Sequence, residues 1–569
     1  MRLRAKPRRG HDYYSVVTSV RSADKVREKT ILYIGRIDKL TESRRLEIVK
    51  KLKELDKPEL ISKFHSILFS TGYEFPSPVS SLEIVDVYSY GRELALHKVC
   101  EEIDLVNTIN RFATIGGGPE LGKIVEAMVI NRNCDPCSYF RLSDWYEQSA
   151  LPFFLKLPPS DLTYSVTLNA LDYLQPVKTI KMQTSLYENI RKTYGYECER
   201  LDIDLTSTYF EGNECVLAKF GYSRDHRPDK LQIVVVFVVD QKGVLVTHRV
   251  WPGNQSDAKS LEPVDRSLKS EFGLDAPRVV DRGMATWANL DQMDEDKERY
   301  LVALRAGVKA TGLLDEIGTP RSDWASVGDD QVAASAIRGR RKYVVVWNAS
   351  VAETNRKERE ARVGKVEKEL KKIQASIKKG EISSEKERDE QIGFVIKKCR
   401  VARYLEAIGE EGSLNFVIRR KKGFEDVKTY DGYQVFVTTE FDLSEREVVE
   451  SYKIRDQIEK AFADSEKCTQ DSHPQNVRTE EHVLGNIFVC ATAFQLRSVL
   501  DMKLKDRGVD MSVENAMRTL ERLKAVDIVV GTGDEIEVHR KLSGLDCETR
   551  TLVEMFSMAD DGKLPDVEV

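Results

Sequence analysis

A chain of 569 residues is too long for one ordinary domain, and roughly three to four are expected. Its hydrophobic content of 41% suits a folded core, and no run of about 18 apolar residues stands out, which argues against a membrane span. The net charge of −5 hides an asymmetry, because residues 1–60 hold 17 Lys and Arg against 9 Asp and Glu.

The chain starts MRLRAKPRRG, basic but with no apolar stretch after it, so no secretory signal is read there. HDYYSVVTSVRSADKVREKTILYIGRI follows, two β-branched and aromatic runs around a charged connection, which predicts a basic hairpin. Helical spacing recurs at about 41–54, 58–69, 90–103 and 119–131, with Leu46, Val49, Leu52 and Leu55 as one example. Cys134 and Cys137 form a Cys-x-x-Cys without a second pair at zinc spacing, so it is read as structural. The nine cysteines are odd in number and scattered, which points to a reducing cytoplasm rather than a disulfide framework. Residues 1–195 are therefore expected to be a mainly helical N-terminal region with a basic hairpin at its front, suited to DNA.

At about 199 the texture changes to strand-like runs, LDIDLTSTYF and KLQIVVVFVVDQKGVLVTHRV among them. A helix pattern, the buried-strand run PRVV ending in Asp281, another helix and RYLVALRAG come next. A meander followed by alternating helix and strand predicts a mixed α/β sheet over 196–308. Residues 309–440 read as an inserted α/β arm. Within it, 352–405 form an antiparallel helical pair broken at Gly380. Residues 441–505 return to core, opening on a helix with a capping box at Ser444 and Glu447. A small segment, 506–569, closes the chain.

Three carboxylates stand where burial makes them costly: Asp204 within a strand, Asp281 at a strand end, and Glu459 on an amphipathic helix. Converging, they would repel one another unless cations neutralised them. Mg²⁺ takes oxygen ligands, and two such ions can clamp the attacking and leaving oxygens of a phosphodiester. Taken singly, each also reads as a strand-end cap or an ion-pair partner.

Four stretches sharpen the reading: DLTSTYFEG with Asp204, GYSRDHRPDKLQ followed by PGNQSD, VVDRGMATWANL with Asp281, and YKIRDQIEKAF with Tyr452, Arg455 and Glu459. Over roughly 200–490 the chain resembles insertion-sequence transposases of the DDE class, in the group with a Tyr-Arg-Glu-Lys pattern around the last acid. The resemblance implies an RNase H-like catalytic core with an α/β insertion before the last catalytic helix. It implies that Asp204, Asp281 and Glu459 hold two Mg²⁺ or Mn²⁺ ions, and that Tyr452 and Arg455 contact DNA near the cleaved end. Tyr452, Arg455 and Glu459 stand at i, i+3 and i+7, one helical face, although an Arg455–Glu459 salt bridge with Tyr452 as packing is the plain alternative. Arg227 and Arg282 are further candidates for DNA contact.

One departure stands out. The lysine of the pattern falls at Lys467, and Glu466 occupies the position seven residues after Glu459, turning Lys467 off that face. Trp324 and Trp347 lie in the insertion, where relatives use an aromatic to stack an extruded base, with core packing as the alternative. The resemblance implies DNA partners (terminal inverted repeats and target DNA), a homodimer on DNA, and a prokaryotic cytoplasmic, nucleoid-associated setting. The other reading is a catalytically impaired remnant that binds DNA.

Overall fold

The computed structural model describes the chain except residues 9–10, 23–24, 56–59, 62, 65–66, 69–82, 211–214, 224–226, 305–307, 319–322, 411, 423, 425–429, 455–476, 533–534, 544–546 and 557–569. It divides into two compact units that do not follow chain order. Residues 1–94, 148–154 and 518–569 make one unit, and 95–147 with 155–517 make the other.

In the smaller unit, β1 (Arg2–Arg8), β2 (His11–Ser22) and β3 (Lys25–Gly35) form an antiparallel sheet. The sequence predicts two of these strands, and the basic first segment adds the third by pairing Arg2 through Arg8 with Val17 back to His11. Its apolar face, Val16, Leu32 and Ile34, packs with Ile48, Val49 and Leu52 of the helix Glu42–Glu54, whose first turn is capped by Thr41. Arg2 and Arg4 both pair with Glu28, so part of the basic charge is compensated locally. β4 (Glu83–Ser89) joins the strands Lys524–Thr532 and Glu535–Leu542 in a second antiparallel sheet.

The larger unit is built on one nine-stranded mixed sheet. Its strands are β5 (Leu201–Tyr209), β6 (Gln232–Asp240), β7 (Leu245–Pro252), β8 (Arg278–Val280), β9 (Tyr300–Leu304), β10 (Ala325–Gly328), β11 (Gln331–Arg338), β12 (Arg341–Asn348) and, after β13 (Leu405–Gly409) and β14 (Phe416–Arg420), β15 (Tyr433–Thr438). The spatial order is β10-β11-β12-β15-β9-β8-β5-β6-β7. β5, β6 and β7 are the antiparallel meander the sequence predicts, and β8 and β9 lie parallel to β5.

Register decides which helix covers which face. Asp202 pairs with Val239 on one side and Val279 on the other, so all three share a face. On that face Val239 and Leu245 pack with Ala491 and Phe494, and Val279 and Leu301 pack with Val448, Val449 and Tyr452. Arg278 and Tyr300 point to the opposite face, where they bond Asp265 and Asp294 of the helices Asp257–Ser270 and Trp287–Glu295.

The region read as an inserted arm, 309–440, is divided. β10, β11, β12 and β15 extend the main sheet, because runs such as YVVVW are apolar on both faces and need cover. The helices Ala349–Lys378 and Glu385–Lys398 stand with β13 and β14 around their own core of Val363, Val366, Leu370, Ile373 and Phe416. Gly380, at φ +76°, lets the chain leave the first of these helices in the left-handed conformation.

The helix Glu480–Asp506 corrects one expectation. By length and composition it is apolar enough to cross a membrane, although the sequence reading found no such stretch. Its apolar window is 94% buried in this fold, so a core position accounts for the composition. Asn133 of the helix Leu121–Cys134 donates to its Ala493 carbonyl at 3.0 Å, and its Gln495 donates to the Leu245 carbonyl of β7 at 2.6 Å.

Candidate active site

β5 and β8 run parallel with Leu201 opposite Arg278, Asp202 opposite Val279 and Ile203 opposite Val280. One residue further on, the same register brings Asp204 beside Asp281, at the spacing of about 4.8 Å that separates neighbouring strands. Asp204 shares the face of Asp202, two residues earlier, which is the face covered by residues 445–454. Both aspartates are half-buried.

β8 ends at Val280, and Asp281 opens a tight turn. Its Oδ2 accepts from the Gly283 amide at 2.9 Å, and its carbonyl accepts from the amides of Met284 and Ala285. The turn role that the sequence left open for Asp281 is therefore present together with its place beside Asp204. A side chain at Gly283 would meet Asp257 Oδ2 at 2.9 Å and Asp281 Oδ2 at 3.0 Å. Two carboxylates converge over a glycine, their oxygens no more than about 6 Å apart.

The turn is fastened from both ends. Asn289 Nδ2 donates to the Met284 carbonyl at 2.7 Å and to the Ala258 carbonyl at 2.8 Å, joining the Asp281 turn to the first turn of the Asp257 helix. Thr286 caps the helix that carries Asn289. Beneath the site, fully buried Arg278 bonds Asp265 at 2.6 Å and the carbonyls of Ala276 and Leu274, with Glu298 at 3.6 Å. Burial pushes the Glu298 carboxyl above its ordinary range, with Lys269 pulling the other way.

The last helix of the sequence prediction is described over 445–454. Its capping box forms as read: the Glu447 carboxylate accepts from the Ser444 amide at 2.7 Å, and Ser444 Oγ accepts from the Glu447 amide. Arg200 donates to Asp202 and to the Ser451 carbonyl, tying the helix to the start of β5. Tyr452 is buried at 8% exposure, its ring 5.0 Å from that of Phe436. Arg455, Glu459 and Lys467 lie outside the described residues.

Other candidates are dispersed. Arg227 makes a two-pronged pair with Asp229, at 3.0 Å on both bonds, and stacks over the Tyr209 ring at 5.1 Å. Arg282 is exposed, Met284 is fully buried, Trp324 is buried and Trp347 is half-buried in β12. Cys134 and Cys137 are both free thiols, and burial raises the Cys137 pKa. Asp257 and Asn289 carry no mark in the sequence beyond their place in PGNQSD and VVDRGMATWANL, because neither spacing nor hydropathy shows that two loops meet.

Among the described residues no group of three or more His, Cys, Asp and Glu side chains is placed to hold a metal ion. The donor set at the ends of β5 and β8 is carboxylate oxygen, the chemistry that suits Mg²⁺ or Mn²⁺.

A mixed sheet presenting paired aspartates at adjacent strand ends is an arrangement suited to phosphoryl chemistry. Residues 199–496 match the family model described as Transposase DDE domain, and the chain belongs to that family. No curated protein matches the chain. Among solved structures, the piggyBac transposase synaptic complex with hairpin DNA is similar at 10% identity, covering 76% of this chain and 80% of that one, with a TM-score of 0.34.

Proposed function

We propose that this transposase cuts DNA at the ends of an insertion sequence and joins them to target DNA, using Asp204, Asp281 and Glu459 as its acidic centre. The observation that carries the proposal is the register of β5 and β8, which sets Asp204 and Asp281 side by side. The strand order β7-β6-β5-β8-β9, with the first three antiparallel and the last two parallel to β5, supports an RNase H-like core. Glu459 follows Tyr452 by seven residues, an interval at which a helical face recurs, and Tyr452 lies on the face that Asp204 shares.

The three carboxylates would hold two Mg²⁺ or Mn²⁺ ions. When bound, these supply charge neutralisation and activation of the attacking oxygen. The chain's own residues set the geometry: Gly283 leaves room for the acids, Asn289 fixes their loops, and Arg278 holds β8. In the first step water attacks the phosphorus at the element boundary and the bond to the 3′-oxygen breaks, freeing a 3′-hydroxyl. In the second, that hydroxyl attacks a target phosphodiester and displaces its 3′-oxygen. Arg455 and Tyr452 serve the DNA near the cleaved end. The basic three-stranded sheet of residues 2–35 binds the terminal repeat in a salt-dependent way. Two ends must meet, so the working form is a dimer on DNA, in a prokaryotic cytoplasm at the nucleoid. The seven described cysteines are all free, which suits that compartment.

The test is cleavage of labelled DNA carrying the element's terminal repeat, with Mg²⁺ or Mn²⁺, by wild type and Glu459→Gln. Metal-dependent nicking at the repeat boundary and joining to target, both lost in the variant while binding persists, is the expected result. Specific binding by wild type without cleavage under either metal would favour the remnant reading, with Glu466 in the lysine's place as its cause.

A further inference from the structure

The segment joining β5 to β6 carries two large aromatic side chains that the fold holds outward. Phe220 is 63% exposed and Tyr222 is 80% exposed. Between them, Gly221 crosses Gly253 so closely that a Cβ would stand 1.9 Å from the Gly253 carbonyl oxygen. Gly253 is equally tight against the Gln232 carbonyl, also at 1.9 Å. Side chains alternate along an extended segment, so the side of Gly221 that faces inward sends Phe220 and Tyr222 to the outward side. The backbone there is well fastened. Lys219 and Gln232 exchange two amide–carbonyl bonds of 3.0 Å, Gly253 donates to Leu217, and the Gln232 side chain donates to the Tyr222 carbonyl at 2.8 Å.

A single exposed hydrophobic residue calls for no explanation. Two aromatics on one outward side of a pinned turn do, since each covers roughly 150–250 Å² when stacked. Their surroundings select the partner. Residues 216–230 hold four Lys and Arg against two Asp, in a chain whose net charge is −5. The segment leaves the C-terminal end of β5, and β8 runs parallel to β5, so the aromatics sit at the end of the sheet where Asp281 leaves β8. Trp324, one aromatic the sequence offered for base stacking, is only 7% exposed.

We infer that Phe220 and Tyr222 form a stacking platform for unpaired bases of the DNA strand entering the acidic centre, with Lys219 beside it for phosphate. Flat aromatic faces accept any base, and a lysine flank follows the backbone without reading sequence. This rests on the proposed action on DNA and adds a preference for unpaired strand over closed duplex.

The test is equilibrium binding of the full-length chain to two DNAs, a blunt duplex and the same duplex with a short single-stranded tail carrying 2-aminopurine. Wild type should bind the tailed DNA more tightly and quench the 2-aminopurine. Phe220→Ala and Tyr222→Ala should each weaken tailed-DNA binding by about 5- to 100-fold and leave blunt-duplex binding unchanged. Tyr222→Phe should retain both, and because the side chains are exposed, thermal unfolding should match wild type in every variant. Equal tailed-DNA binding by wild type and the Phe220→Ala/Tyr222→Ala double variant would overturn the platform alone. A changed oligomeric state in that variant with intact DNA binding would overturn it in favour of a contact between copies of this chain. Failure of wild type to bind either DNA would overturn the proposed function and the platform with it.

Discussion

Ile203 of β5 stands opposite Val280 of β8, and each is followed by an aspartate. That one register places Asp204 and Asp281 together across 77 residues of chain. A slip of one residue would send Asp204 to the other face of the sheet, away from residues 445–454.

Gly283 lies under the convergence of Asp257 and Asp281, and an alanine there would press a methyl group against both carboxylates, at 2.9 and 3.0 Å. Gly283→Ala should lower metal-dependent cleavage by about 10- to 100-fold, the range expected when groups orienting a metal centre are displaced. Its thermal unfolding should stay close to wild type. Steady-state cleavage rates and a melting curve on the same preparation check both halves, and a fully active Gly283→Ala would show the convergence to be incidental.

Asn289 bridges the carbonyls of Met284 and Ala258. Asn289→Ala removes the donor for two bonds, which should cost about 1–3 kcal/mol of stability and loosen the Asp281 turn. Urea unfolding measures the first effect and cleavage the second. An Asn289→Ala chain that is destabilised yet cleaves normally would confine Asn289 to a structural role.

The sequence made the catalytic sheet legible for a physical reason. Alternation and β-branched runs mark β5 to β9, and an aspartate breaking such a run is visible without a structure. The same holds for the capping box at Ser444 and Glu447, a contact within one turn. What stayed hidden depends on long-range pairing. The strands β10 to β12 and β15 read as an arm because nothing local tells Tyr433–Thr438 to pair with β9. The third N-terminal strand was missed because Arg2–Arg8 is too charged to look like one. Asp257 reaches the site only through a fold-level meeting of two loops, and the helix Glu480–Asp506 is apolar all round because it is core.

Arg278 is fully buried between Asp265 and Glu298. Arg278→Met should destabilise the chain by about 3–5 kcal/mol, because it leaves buried carboxylates without their cation. A double variant, Arg278→Met with Asp265→Leu, should recover part of that loss. Chemical denaturation of the three proteins tests this, and equal losses in the single and double variants would count against it.

His248 is buried against Gln183, and burial together with the neighbouring Arg249 charge pushes its pKa down to about 3. In the unfolded chain it titrates near 6.5. Between these values the unfolded state takes up a proton that the folded state refuses. The His248 contribution is therefore complete above about pH 6.5 and declines as pH falls toward 3, by about 1.4 kcal/mol per pH unit. His248→Asn should flatten this acid limb of a melting temperature against pH plot. An unchanged slope would place the acid sensitivity elsewhere.

The most direct measurement is metal-dependent nicking of terminal-repeat DNA by Asp204→Asn and Asp281→Asn, run beside wild type with DNA affinity measured in parallel. Both variants should lose more than about 100-fold in cleavage, beyond what displacing a supporting residue costs, while binding DNA as wild type does. If either variant cuts at the wild-type rate, the paired aspartates at the ends of β5 and β8 are not the catalytic centre.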